Sequence, residues 1–187
     1  MAKPLIVGFG GTTRPGSSGE RMVAAVLAAT AELGAETRLF GGAALAAMPH
    51  FAPENPGRTV EQIEFVEAIR AADGIVIGSP GYHGGVSGLV KNAIDLLEDL
   101  RTDTRVYFDG RAVGLIVSAA GWQAGGVTLS ALRSITHAMR GWPTPLGIAI
   151  NTIAQKPFDA EGRLIDPDLL GQVKAQAAQI MMLARPR

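Results

Sequence analysis

Short apolar runs alternate along the chain with longer stretches in which apolar residues recur at helical spacing. That is the pattern of repeated strand–helix units around a parallel sheet. Leu5 to Phe9 predicts the first strand, and a helix from about Gly19 to Leu33 carries the stripe Met22, Val23, Val26, Leu27 and Leu33. Glu36 to Phe40 is a weaker second strand, and Gly41 to Arg58, rich in Gly, Ala and Pro, reads mainly as loop. A helix from Val60 to Ala72 points Ile63, Val66 and Ile69 inward. Gly74 to Ser79 is a third strand, apolar almost throughout, as a strand covered on both faces must be.

The second half continues the alternation. Helix Ser87 to Leu100 is followed by strand Val113 to Ser118, helix Val127 to Arg140, strand Leu146 to Ile150 and a closing helix Asp166 to Ala184. Five strands and five helices predict one doubly wound α/β domain over residues 1–187, with no composition shift or repeat to mark a second. Such folds bind ligands outside the carboxyl ends of their strands. The loops to inspect therefore follow strands one, three and four.

Composition narrows the function classes. At 187 residues and 47% hydrophobic, the chain can bury a full core. A formal net charge of zero argues against nucleic-acid binding, which needs a basic surface, and against acidic membranes. With no cysteine, thiolate chemistry, disulfides and cysteine-held metals are excluded. His50 and His137 are isolated, so no metal site is expected. The first apolar run is too short for a signal-peptide core or a membrane span, and the expected location is cytoplasmic.

The first loop is Gly10-Gly11-Thr12-Thr13-Arg14-Pro15-Gly16-Ser17-Ser18. It stands between a strand and a helix N-terminus, where backbone N–H groups and the helix dipole favour an anion. Thr12, Ser17 and Ser18 add hydroxyls, Arg14 adds a cation, and the glycines permit close approach. The pattern is a cup for one terminal phosphate. A mononucleotide P-loop is rejected because Ser17 stands where its lysine belongs. A dinucleotide fingerprint is rejected because Thr13 replaces its third glycine and strand two ends in Arg38-Leu39-Phe40. Ser17 to Glu20 also reads as a capping box, a role compatible with phosphate binding.

The second loop carries a family resemblance. Ser79-Pro80-Gly81-Tyr82-His83-Gly84-Gly85-Val86-Ser87-Gly88-Leu89-Val90-Lys91-Asn92-Ala93-Ile94-Asp95 resembles a signature of the NADPH-dependent FMN reductase family. The first loop resembles that family's Gly-Ser-x-Arg-x-x-Ser signature, and Phe158 to Leu164 resembles a segment near its C-terminus. The resemblance implies a flavodoxin-like three-layer α/β/α sandwich with a five-stranded parallel sheet in the order 2-1-3-4-5. It implies FMN as cofactor, with Thr12, Arg14, Ser17, Ser18 and Gly19 around the phosphate and Pro80, Gly81, Tyr82, His83 and Gly84 along the flavin ring. Gly19 stands where the family often has Asn or Thr, so one phosphate donor is expected to be missing. Gly81 replaces a frequent acid and Ser87 a frequent proline.

The third loop, Ser118-Ala119-Ala120-Gly121-Trp122-Gln123-Ala124-Gly125-Gly126, would lie by resemblance on the pyrimidine side of the flavin. Trp122 would either cover the ring, shape the nicotinamide site or fill a gap between loop and sheet. Trp142 reads as packing at the start of strand five. Helix 87–100 is apolar over more than one face, with Lys91 and Asp95 as an i,i+4 pair. The resemblance implies that it forms a homodimer, or a dimer of dimers. The implied activity is NAD(P)H-dependent reduction of FMN, with electrons passed to a free flavin, quinone, azo compound or metal ion. No side chain is assigned as a catalytic acid, base or nucleophile, because the cofactor carries the chemistry. The alternatives are a non-enzymatic electron carrier and a flavin-binding sensor module on the same fold. NADPH and NADH are not distinguished; Arg14, Arg111 and Arg133 are the candidate cations for a 2′-phosphate.

Overall fold

The computed structural model describes residues 2–185; residues 1, 186 and 187 of the predicted domain lie outside the described residues. The chain runs β1 (Leu5–Gly10), α1 (Ser18–Glu32), β2 (Glu36–Phe40), α2 (Gly42–Ala47), α3 (Val60–Ala71), β3 (Gly74–Tyr82) and β4 (Gly85–Val86). It continues with α4 (Gly88–Leu96), a 3-10 turn (Leu97–Leu100), β5 (Ala112–Ala119), α5 (Trp122–Ala138), β6 (Trp142–Pro143), β7 (Ile148–Asn151) and α6 (Pro167–Met181).

The sheet order is β2-β1-β3-β5, with β6 and β7 both pairing parallel to the far side of β5. The expected order 2-1-3-4-5 holds, but the fifth position is broken in two, giving seven strands with the short arm β4. Pro143 and Pro145 cause the break, since neither has an N–H for the ladder. The freed backbone is satisfied from helices instead. Arg133 of α5 donates to the carbonyls of Thr144 and Pro145, Gln176 Nε2 of α6 donates to the carbonyl of Leu146, and Gln179 Oε1 accepts the N–H of Leu146.

The strands alternate between two cores, which makes the three layers. Val7, Phe9, Ile75, Ile77, Val113, Leu115 and Val117 face α3, α4 and α5. Ile6, Val76 and Ile116 face α1 and α6. Phe9 and Phe40 both meet the ring of Phe65 edge-on at 5.2 Å. On the other face, α1 approaches closely because Gly8 and Gly78 lack side chains; a Cβ on either would stand 2.6 and 2.5 Å from Val23.

Several expectations need correction. Leu33 and Ile63, expected inward, are 52% and 50% exposed. Leu33 sits at the C-cap of α1, past the buried stripe, and α3 turns Gln62, Phe65, Val66, Ala68 and Ile69 to the core instead. The expected loop 41–58 contains α2, which buries Leu45. Helix α5 starts at Trp122, five residues before the expected Val127, because tertiary packing of Gly125, Thr128 and Leu132 outweighs the low helix propensity of the glycines. Trp142, expected to pack at the start of the fifth strand, is 61% exposed. In helix 87–100 Val90, Ala93, Ile94, Leu96, Leu97 and Leu100 are buried within the chain and Leu89 only partly, while Lys91 and Asp95 pair at 2.6 Å outside.

Helix α5 was expected to reach Arg140 but ends at Ala138. The N–H of Gly141 bonds the carbonyl of Thr136 and that of Arg140 bonds His137, a Schellman motif with Arg140 in the left-handed region at φ 63°. A glycine is preferred there because a Cβ crowds the following carbonyl. Arg140→Gly should therefore raise the unfolding free energy by about 1 kcal/mol, read as a higher urea midpoint at unchanged slope.

Candidate functional site

The first loop leaves the sheet where β1 ends. Gly10 has φ 147°, and a Cβ there would stand 2.1 Å from the carbonyl oxygen of Gly78 on the neighbouring strand. No residue but glycine lets the chain turn so close to β3. The N–H of Gly11 bonds the same Gly78 carbonyl at 3.3 Å. The loop then closes on itself. Ser17 Oγ accepts the N–H of Thr12 at 3.2 Å and that of Glu20 at 3.4 Å, and Thr12 Oγ1 accepts the N–H of Arg14 at 3.2 Å.

Ser17 is thus the N-cap of α1, but the expected capping box is only half present. Glu20 does not reach back to its cap; Glu20 Oε2 accepts the N–H of Gly42 at 2.8 Å. This carboxylate ties the loop to the start of α2. The contact is close on both sides, since a Cβ on Gly42 would lie 1.7 Å from the carbonyl oxygen of Thr12. The result is a rigid cup whose first-turn N–H groups, at Ser18 and Gly19, have no carbonyl one turn back. The hydroxyls of Thr12, Ser17 and Ser18 stand beside them.

The second loop is not a loop at all for most of its length. β3 continues through Pro80 and Tyr82, with Pro80 paired to Ser118 on β5. It then folds back as a two-residue hairpin, Tyr82 facing Gly85 and Gly81 facing Val86. His83 and Gly84 make the turn with φ 54° and 75°, the doubly positive geometry of a type I′ turn. The strand runs on past its expected end at Ser79, through a proline. The ladder survives because β1 ends opposite Gly78, leaving that flank of Pro80 unpaired. Ser79 Oγ accepts the N–H of Ser87, and Ser87 Oγ in turn caps α4 by accepting from Val90. Ser87 therefore does local work that a proline could not.

These segments converge on one cleft of about 670 Å³ at the carboxyl ends of β1, β3 and β5. Thr12, Arg14, Ser17 and Ser18 line one end, Pro80, Gly81, Tyr82 and His83 one wall, and Ser118, Ala119, Ala120 and Gly121 the other. Its volume is in the range of cofactor sites. Three expected site residues are placed differently. Gly19 is buried beneath the cup, where an added Cβ would meet Ser118 Oγ at an ordinary 3.5 Å. Gly84 is at the hairpin tip and Trp122, 57% exposed, is at the start of α5; neither lines the cleft. Trp122 does not fill a gap between loop and sheet. Ala124, within the third loop, and Thr152, outside all three expected loops, line the cleft as well. Thr152 follows β7, and its hydroxyl bonds the carbonyl of Ala119 at 3.2 Å. Inspecting the end of the last strand as well would have found it.

The candidate cations separate clearly. Arg111 is fully buried and bonds the carbonyls of Ala72, Arg70 and Tyr107; Arg133 is committed to the break between β6 and β7. Of the three, only Arg14 stands in the cleft. Behind the cup lies a turn bridged between Phe158 and Leu164. There, desolvation pushes the Asp159 carboxyl up, but hydrogen bonds from the Arg163 side chain and from the N–H groups of Arg163, Glu161 and Gly162 hold it below its ordinary value. Among the described residues no group of acids, histidines and cysteines could hold a metal ion, and no helix is long and apolar enough to cross a membrane.

The sequence profile of the family described as NADPH-dependent FMN reductase matches residues 4–155. An FMN-dependent NADPH-azoreductase of Staphylococcus haemolyticus (strain JCSC1435) is 34% identical over 105 residues, covering 56% of this chain and 52% of that protein. The corresponding azoreductase of Staphylococcus aureus (strain USA300) is 40% identical over 83 residues, covering 44% of this chain and 40% of that one. The chain thus spans about half the length of the curated relatives it matches. Among solved structures, FerB, a flavoenzyme NAD(P)H:(acceptor) oxidoreductase from Paracoccus denitrificans, superposes with a TM-score of 0.72 at 21% identity, over 97% of this chain and 100% of that one. That likeness shows a shared fold.

Proposed function

The chain belongs to the NADPH-dependent FMN reductase family, and from that premise we propose that it binds FMN in this cleft and catalyses electron transfer from NADPH or NADH to a second acceptor. The observation that carries the reading is the continuity of the cleft. An anion cup at a helix N-terminus opens into the same space as a wall made of the β3–β4 hairpin. One terminal phosphate and one planar ring, joined by a flexible chain, fit that arrangement. The donor set fits too: hydroxyls and backbone N–H groups around one cation suit a monophosphate.

FMN would supply the exchange of a hydride from the nicotinamide and its onward transfer. The protein's own part is placement. Ser18, Thr12 and the first turn of α1 hold the phosphate, and Arg14 adds charge. The hairpin fixes the ring against Pro80 and Tyr82 while Ser118 to Gly121 close the opposite side. Tyr82 is exposed at the cleft, where a nicotinamide and then the acceptor would reach a bound flavin. The acceptor class includes free flavin, quinones, azo compounds and oxidised metal ions; azo compounds are the first to test, since the staphylococcal relatives are named azoreductases.

Purified protein titrated with FMN should bind it and quench its fluorescence. Addition of NADPH or NADH under anaerobic conditions should then bleach the flavin. An electron carrier would keep its flavin oxidised, and a chain that does not bind FMN would overturn the proposal. Arg14→Ala should raise the FMN Kd about fivefold, a modest effect because this cation is exposed.

A further inference from the structure

Arg21 is the one arginine of the cup region that the function above leaves unused. It stands one turn into α1, near the helix terminus where the dipole disfavours a cation. Its guanidinium is wedged between two glycines. Nη2 lies 3.2 Å from where a Cβ on Gly16 of the cup would stand, and Cζ lies 2.8 Å from the same point on Gly162. Below it, the ring of Phe158 is 5.5 Å from Cζ, a cation–π contact.

Among the described residues no carboxylate pairs with this half-buried cation. Glu20, its neighbour, is turned to Gly42. The two acids of the facing turn, Asp159 and Glu161, are both engaged by Arg163. A positive charge is therefore held by an aromatic ring and two close backbones against the outer side of the phosphate cup, with its natural counter-charge missing.

We propose that Arg21 is a positioning residue for the cofactor phosphate, clamped in place by the Phe158–Leu164 turn. It does not line the cleft, so it acts through Gly16 and through space. It fixes the back of the cup and adds positive potential to the site that Arg14 faces from the front. The 158–164 turn thereby becomes a clasp on the phosphate loop. This inference rests on the reading of the cleft as an FMN site.

The test compares FMN with riboflavin, which lacks the phosphate, on Arg21→Met, Arg21→Lys and Phe158→Leu proteins at low and high salt. Methionine keeps an unbranched stem over Phe158, and thermal melts report whether the fold holds. Arg21→Met should raise the FMN Kd about three- to tenfold at low salt, leave the riboflavin Kd unchanged, and flatten the salt dependence of FMN binding. Arg21→Lys should recover most of the affinity, and Phe158→Leu should lose part of it. Equal weakening of FMN and riboflavin, or an unchanged FMN Kd, would overturn the proposal. Failure of the unmodified protein to bind FMN would instead overturn the reading of the cleft on which it rests.

Discussion

Gly42→Ala should weaken FMN binding about a hundredfold while leaving most of the fold intact. The Cβ it adds would lie 1.7 Å from the carbonyl oxygen of Thr12, far inside van der Waals contact, so loop and helix must part. Both partners are backbone, so no side-chain rotation relieves the clash. The same movement stretches the bond from the Gly42 N–H to Glu20, which anchors the cup. Overpacking of this kind costs about 1–3 kcal/mol of stability. The larger effect falls on the ligand, because displacement of a site by about 1 Å loses up to about a hundredfold in function. Fluorescence titration with FMN measures it. Gly171→Ala is the control: it lies exposed in α6 with open space at its Cβ, and its FMN affinity should not change. An unaltered Kd for Gly42→Ala would mean that α2 yields and the cup stands alone.

Arg111→Met should lower the unfolding free energy by about 3–5 kcal/mol and leave FMN affinity of the folded protein unchanged. Arg111 is the largest fully buried side chain. Nε donates to the carbonyl of Ala72 and Nη2 to that of Arg70, each at 2.8 Å, and Nη1 donates to Tyr107. The first two carbonyls lie at the C-terminal end of α3, where exposed carbonyls and the helix dipole call for positive charge. Methionine fills similar volume but removes the Arg111 donors to the Arg70 and Tyr107 carbonyls and one of two donors to Ala72. Urea unfolding followed by circular dichroism reads the loss. A change under about 1 kcal/mol would show that other donors, such as Arg105 Nη1 at 2.9 Å from the Ala72 carbonyl, suffice.

Arg111 also shows why a candidate residue in sequence is not yet a site residue. Beside Arg14 and Arg133 it was one of three spare cations, and nothing local distinguished them. Its role depends on the carbonyls of Arg70 and Ala72, some forty positions earlier, which only the folded chain brings to it. The Glu20–Gly42 tie was hidden for the same reason. Locally, Ser17 to Glu20 reads as a capping box, and the competing acceptor role of Glu20 appears only when α2 folds against the loop.

Features with a short-range physical cause are legible in the residue pattern alone. Apolar periodicity set the alternation of strands and helices, and the alternation implied layers and a binding edge at the carboxyl ends. Glycines, hydroxyls and Arg14 before a helix marked an anion cup without any partner from elsewhere. Long-range contact decided the rest. Gly125 was drawn into a helix by packing, Pro80 stayed in a strand because β1 had already ended, and the fifth strand broke where Arg133, Gln176 and Gln179 could satisfy it. Thr152 and Arg21 owe their places to segments distant in sequence. Their significance is a matter of neighbours, and local residue pattern carries no record of neighbours.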